Sequence, residues 1–228
     1  MKPARSNCAH PLKRKILILD DHPITRYGLA QLIDREPDLQ VSADAENAAQ
    51  ALSSIKANPP DLVLADLTMP GKSGLDFIKD LQLQSPQVAV LVVSMHDESV
   101  YAERVLRAGA RGYIMKNQGG EKILEAVRQV LQGKVYVSSS VAGDLLDALT
   151  RHRSRARDST PGVLSDREFE VFELIGQGLS ARQIGQRLNL SVKTVATHRQ
   201  HIREKLKLPS GPAVIREAVR WSATQQLV

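Results

Sequence analysis

One cysteine is all this 228-residue chain contains, so no disulfide can form within it. Cys8 lies in a polar N-terminal stretch and reads as a bystander in a reducing compartment. Long apolar runs are missing as well. Nothing approaches the roughly 18 residues that a membrane-spanning helix needs, so a cytoplasmic protein without membrane contact is expected. The opening MKPARSNCAHPLKRK is basic but lacks the apolar core of a secretory signal. No GxGxxG or GxxxxGK segment follows the first apolar run, which removes the main support for a dinucleotide or P-loop site.

What is present begins with uneven charge. Of a net +6, residues 16–143 carry −4, residues 164–228 carry +4, and the first 15 residues carry +5. An acidic body followed by a basic end points to a polyanion as partner of the C-terminal part. The length suits one or two domains, each able to bury a core. The expected division is a basic tail at 1–14, a first domain at 15–133, a joint with a short helix at 134–163, and a second domain at 164–228.

Four short apolar runs of the first domain end on residues suited to phosphoryl chemistry. KILILD leads into Asp20 and Asp21, LVLAD into Asp66, VAVLVVS into Ser94 and GYIMK into Lys116. Branched apolar runs bounded by turn signals read as buried, parallel-type strands, and VSADA at 41–45 is a weaker fifth. Segments 23–35, 47–57, 74–83, 99–108 and 120–132 have helical length and spacing, with Pro23 suited to a first turn and Gly133 to a helix end. This alternation predicts an α/β domain: a doubly wound, five-stranded parallel sheet with right-handed crossovers and helices on both faces. Ligands of such sheets bind at the carboxyl ends of the strands, where these residues would converge.

Three carboxylates in one place repel, and burial would raise their pKa values unless a cation intervened. Mg²⁺ fits best, because it accepts carboxylates, keeps several waters and bridges to phosphate oxygens. Asp66 is then a candidate nucleophile on phosphorus. Lys116 would neutralise charge on the transferred group, and the Ser94 hydroxyl would bond one of its oxygens. Taken singly, each residue is no more than a polar strand end; the set carries the reading.

The DDHP doublet, LADLTMPGKSG, the VVSMHD run and GYIMK stand in the order and approximate spacing of a response-regulator receiver domain, and 15–133 resembles that flavodoxin-like family. The resemblance implies Asp66 as phosphoacceptor for a sensor histidine kinase, with Asp20, Asp21, Asp66 and the Thr68 backbone carbonyl around Mg²⁺. It also implies Ser94 as switch hydroxyl and Tyr113 as the aromatic that turns inward on activation. Apart from it, Tyr113 would read as a half-buried strand residue. Asn117 departs from the pattern, since many receivers carry proline after the lysine.

After Gly133 the chain reads as a short extended piece and a helix with Val141, Leu145, Leu146 and Leu149 on one face. RHRSRARDSTPGV, at 151–163, has linker composition; its four arginines are expected to be solvated rather than on DNA. The last 65 or so residues are helical throughout. Ser165 with Glu168, and Ser180 with Gln183, form capping-box patterns; Ser191 is a third N-cap candidate. The sum is a small all-α helix-turn-helix domain. Its third helix, expected over 192–208, places Val192, Val195, Ile202 and Leu206 on one side. The other side carries Lys193, Ala196, Thr197, Gln200 and Glu204, short side chains and an amide suited to a major groove. Thr194, Arg199, Arg203, Lys205 and Lys207 flank that face within reach of phosphates.

The run LSDREFEVFELIGQGLSARQIGQRLNLSVKTVATHRQHIREKL resembles the LuxR-type (NarL/FixJ-like) DNA-binding domain over nearly its whole length. The resemblance implies that Ala196, Thr197 and Gln200 read bases in double-stranded DNA, while Lys193, Thr194, His198 and Arg199 contact the backbone. It implies a dimerisation helix at 210–224, with Val214, Ile215 and Ala218 as its contacts. Ala196 stands where many relatives carry lysine.

The leading expectation is a two-component transcription regulator, homodimeric when phosphorylated or DNA-bound, with RNA polymerase as a further candidate partner. Its unphosphorylated receiver would pack on or near the recognition helix, and phosphorylation would expose that helix. A Mg²⁺-dependent phosphohydrolase is the main alternative. Such enzymes usually place a general-acid aspartate two residues after the nucleophile, where this chain has Thr68. A receiver that never uses phosphate and acts as an interaction module is the third reading, disfavoured by the complete acidic set.

Overall fold

The apolar runs form one all-parallel sheet of β1 (Arg14–Leu19), β2 (Leu39–Ala45), β3 (Leu62–Ala65), β4 (Ala89–Ser94) and β5 (Gly112–Met115), in the order β2-β1-β3-β4-β5. This computed structural model describes residues 13–69, 72–150 and 162–225, with side chains left out at 148–150 and 225. Cys8, nearly all of the basic tail and most of the arginine-rich stretch lie outside the described residues.

Alternation along each strand divides the core in two, because successive side chains point to opposite faces. Ile16, Ile18, Leu64, Leu91 and Val93 pack with α1 (Pro23–Asp34) and α5 (Gly120–Leu131). Leu17, Leu19, Val63, Val90 and Val92 face α2 (Ala48–Ala57), α3 (Gly74–Gln84) and α4 (Glu98–Ala108). Strand order reverses between β1 and β3, so the crevice opens between their carboxyl ends, where Asp20 and Asp66 follow. Gly74 keeps α3 close beneath this point. A Cβ there would lie 2.5 Å from the Asp66 carbonyl oxygen and 2.6 Å from Leu67 Cα, so any larger residue would push the α3 terminus off the Asp66 loop.

Beyond β5 a short 3₁₀ turn, Lys116–Gln118, carries the chain into α5. The chain then returns to the sheet edge, where Tyr113 N–H donates to the Tyr136 carbonyl at 2.9 Å. Helix α6 (Ser139–Thr150) packs on α4. Val141 is buried and Leu145 half-buried, but Leu146 faces outward at 63% exposure, and Leu149 lies outside the described side chains.

The C-terminal domain is α7 (Asp166–Gly176), α8 (Ala181–Leu188), α9 (Val192–Lys205) and α10 (Gly211–Gln225). Both capping boxes are complete, and Ser191 Oγ accepts from Thr194 N–H at 3.0 Å. Asn189, at φ 53°, turns α8 sharply into α9. Helix α9 stops at Lys205, short of the expected 208, and Lys207 then takes a left-handed conformation. Val195 and Ile202 reach the core as expected, whereas Val192 is 52% exposed. Val192 is the first helical residue and its side chain tilts toward the N-terminus, away from the packed turns. Phe169, Phe172, Ile184, Val214 and Ala218 complete the core, with Trp221 edge-on to Phe169 at 5.3 Å.

Candidate phosphorylation site and DNA-reading helix

Asp20 and Asp66 are buried, and Lys116 Nζ reaches both, at 2.6 Å from Asp20 Oδ2 and 2.8 Å from Asp66 Oδ2. Burial opposes the Lys116 charge, but Asp66 and Asp20 outweigh it and hold the ammonium above the usual lysine pKa. Asp66 Oδ1 accepts from Leu67 N–H at 2.7 Å and Asp20 Oδ1 from His22 N–H at 2.8 Å. The carboxylates are therefore oriented by backbone as well as by lysine.

Asp20, Asp21, His22 and Asp66 bring one ligand atom each within 4.8 Å of one another. Asp21 Oδ1 is buried and accepts no hydrogen bond, though His22 Nδ1 stands 2.8 Å away. Three carboxylates facing one ammonium leave surplus negative charge on hard oxygen donors, a set that could hold a metal ion. Ser94 is fully buried beside them, its Oγ accepting from His96 N–H at 3.4 Å. Tyr113 is also fully buried and donates to the His96 carbonyl at 2.9 Å; burial raises its pKa, with the Ser94 hydrogen bond opposing. The inward position that the resemblance assigns to activation is already occupied here. Thr68 sits on the Asp66 loop with Oγ1 2.7 Å from His96 Nε2.

On α9, Lys193, Ala196, Thr197 and Gln200 all lie exposed along one face. Two of their polar groups are already engaged: Thr197 Oγ1 donates to the Lys193 carbonyl at 3.1 Å, and Gln200 Nε2 to Glu204 Oε1 at 3.0 Å. Thr194, Arg199 and Arg203 are half-buried at the flanks, while Lys205 is bound to Glu168 at 2.6 Å. His198 is turned partly inward, its Nδ1 shielded and without a hydrogen bond; burial and the Arg167 charge push its pKa down. A neutral ring brings no charge to a phosphate. Val214 and Ala218, expected as dimer contacts, pack into the domain's own core instead, because they lie on the face of α10 that meets α7. Ile215 and Val219 are large apolar residues that α10 leaves exposed, at 42% and 46%.

Residues 16–158 match the family model described as response regulator receiver domain, and residues 162–218 match that of bacterial regulatory proteins, luxR family. The chain belongs to the response regulators with a LuxR-type DNA-binding domain. It is 36% identical over 210 residues to the oxygen regulatory protein NreC of Staphylococcus haemolyticus, covering 90% of this chain and 97% of that one. Among solved structures, RcsB from Salmonella enterica serovar Typhimurium, bound to promoter rprA with a beryllofluoride phosphomimetic, superposes with a TM-score of 0.65 at 23% identity, covering 90% and 97%. The receiver domain of the putative regulator NarL from Mycobacterium tuberculosis gives 0.52 at 31% identity, over 54% of this chain and all of that one.

Among the described residues of this response regulator, the receiver leaves the outer face of α9 exposed instead of covering it as expected. It grips α7. Asp166 pairs with Lys79 at 2.6 Å and Arg104 at 2.9 Å, and Arg104 lies 4.5 Å over the Phe169 ring. Burial opposes the Asp166 charge, but Lys79 and Arg104 hold its pKa below the usual carboxylate value. Deeper in the seam, Glu173 accepts from Tyr101 OH at 2.5 Å and lies 3.0 Å from His96 Nδ1. Burial works against a charged His96, yet the Glu173 hydrogen bond and charge prevail and raise its pKa. Sequence reading missed this seam entirely. His96 stands in the quoted VVSMHD run, but nothing in a linear pattern links it to a glutamate in the next domain.

Proposed function

We propose that Asp66 accepts a phosphoryl group from a sensor histidine kinase, and that its state governs binding of double-stranded DNA by α9 in a homodimer. The observation that carries this reading is the buried Asp66, held between Lys116 and the acidic pair at the strand-order reversal. A carboxylate oxygen of Asp66 forms the bond to phosphorus as the donor's bond to phosphorus breaks. Lys116 then balances charge on the transferred oxygens, and the Ser94 hydroxyl would bond one of them. Asp20, Asp21, Asp66 and the Thr68 carbonyl would hold Mg²⁺, which when bound supplies positive charge to the phosphoryl oxygens. A DNA-binding role supports a cytoplasmic regulator.

Because the reading face of α9 is open in the closed arrangement, control by masking is replaced by control of geometry. A receiver fixed on α7 limits where a second copy's α9 can lie, and paired half-sites about one helical turn apart demand a set spacing. Ile215 and Val219, exposed on α10, are the residues through which two DNA-binding domains would meet. The phosphohydrolase reading gains nothing from the structure, since the Thr68 hydroxyl is occupied by His96.

Labelling with acetyl phosphate and Mg²⁺ tests the assignment: the wild-type chain incorporates phosphate and Asp66→Asn does not. Label on another residue of that variant would reassign the site. Selection of bound genomic fragments with and without acetyl phosphate, at stated salt, tests the coupling, because counterion release makes affinities at unstated salt uninterpretable.

A further inference from the structure

His96 touches three groups beside the phosphorylation site. Its Nε2 is 2.7 Å from Thr68 Oγ1 on the Asp66 loop, its N–H donates to Ser94 Oγ at 3.4 Å, and its carbonyl accepts from Tyr113 OH at 2.9 Å. Its remaining polar atom, Nδ1, is held by Glu173 of the DNA-binding domain at 3.0 Å. The other oxygen of that carboxylate is fixed by Tyr101 OH at 2.5 Å, so Glu173 is anchored on both sides and cannot follow a moving imidazole without giving up a bond.

We propose that Glu173 is a positioning residue for the receiver's chemistry: carried by α7, it fastens His96 and thereby restrains Thr68 and Ser94. The inference rests on Asp66 being the phosphoacceptor and names how the DNA-binding domain regulates it. Seating a phosphoryl group on Asp66 asks Ser94 Oγ to turn toward it and the loop through Thr68 to take up the ion. Both are tied to a residue that α7 holds still. A closed seam therefore opposes the phosphorylated state, and by thermodynamic reciprocity the phosphorylated state opposes the closed seam. Asp166 lies in the same seam and pairs with Lys79 and Arg104, so it holds the domains together from a different point than the Glu173–His96 contact.

The test is equilibrium binding of beryllofluoride with Mg²⁺ to the full chain, read by titration calorimetry. Glu173→Gln keeps the shape and removes the charge; it is expected to tighten binding about fivefold, the lower end of typical coupling between sites. Asp166→Asn opens the same seam elsewhere and is expected to give a smaller gain. In a His96→Asn background, Glu173→Gln should change nothing further, the non-additivity expected of residues acting through one another. Unchanged or weaker binding by a Glu173→Gln chain that melts like wild type would overturn the proposal. An equal gain in the His96→Asn background would also overturn it, leaving Glu173 a simple adhesive. If the wild-type chain bound no beryllofluoride, or Asp66→Asn bound it equally, the phosphoacceptor assignment would fail, and the proposal with it.

Discussion

The regulator's two working surfaces are built on opposite principles. Around Asp66, charged groups are buried and paired, fixed by strand ends and backbone donors before any ligand arrives. Along α9, Lys193, Ala196, Thr197 and Gln200 stand in solvent, where Thr197 bonds to its own backbone and Gln200 to Glu204. Bond-making chemistry gains from groups that need no rearrangement in a water-poor site. Reading a base edge has to be reversible, and to do so Gln200 would exchange its Glu204 contact for a base. Change is therefore expected to cost more at the buried, paired carboxylates than along the exposed face of α9.

The sharpest way to break this comparison is Asp20→Ala. It removes a partner of Lys116 and the acceptor of His22 N–H, and phosphate incorporation from acetyl phosphate is expected to fall about a hundredfold or more. Incorporation within a few fold of wild type would show that the buried set is not preorganised for the reaction. On the open surface the effects are smaller. Gln200→Ala should weaken specific DNA binding by about 1–3 kcal/mol, roughly ten- to a hundredfold, with labelling of Asp66 unchanged. Lys193→Ala should weaken all sequences alike and lower the slope of log affinity against log salt by about one. A loss confined to one sequence would instead make Lys193 a base reader.

How far each surface was legible follows from the same contrast. Strand ends are marked in sequence because a buried run stops where a charged residue begins, so Asp20, Asp66, Ser94 and Lys116 announce themselves. The capping boxes are just as local, and both close as their spacing predicts. Side-chain direction at element ends is not local. Val192 and Leu146 fit the periodicity and still face solvent, while Val214 and Ala218 face α7 rather than a partner. The seam was illegible for a stronger reason: Tyr101 and Glu173 are 72 positions apart and share no pattern. That seam turns the expected masking of α9 into a grip on α7.

The smallest effect separates holding the reading helix from being part of it. Ser180 Oγ accepts from Gln183 N–H at 3.4 Å and Gln183 Oε1 accepts from Ser180 N–H at 2.9 Å, both in solvent at the start of α8. Ser180→Ala removes the first bond and the hydroxyl's own 2.7 Å bond to Gln183 Oε1 and loosens the second, and exposed donors recover part of the loss in water, so about 1 kcal/mol is expected. In a domain this small, that lowers the melting midpoint by about 4–8 °C, visible by near-ultraviolet signal from Trp221. DNA affinity measured well below that midpoint should change by less than about threefold, since a folded population is diluted only slightly by a loss of this size. Phosphate incorporation at Asp66 should not move. A drop in affinity as large as that of Gln200→Ala, at unchanged folding, would mean that the start of α8 itself touches DNA, and the open surface would extend beyond α9 to the helix that carries it.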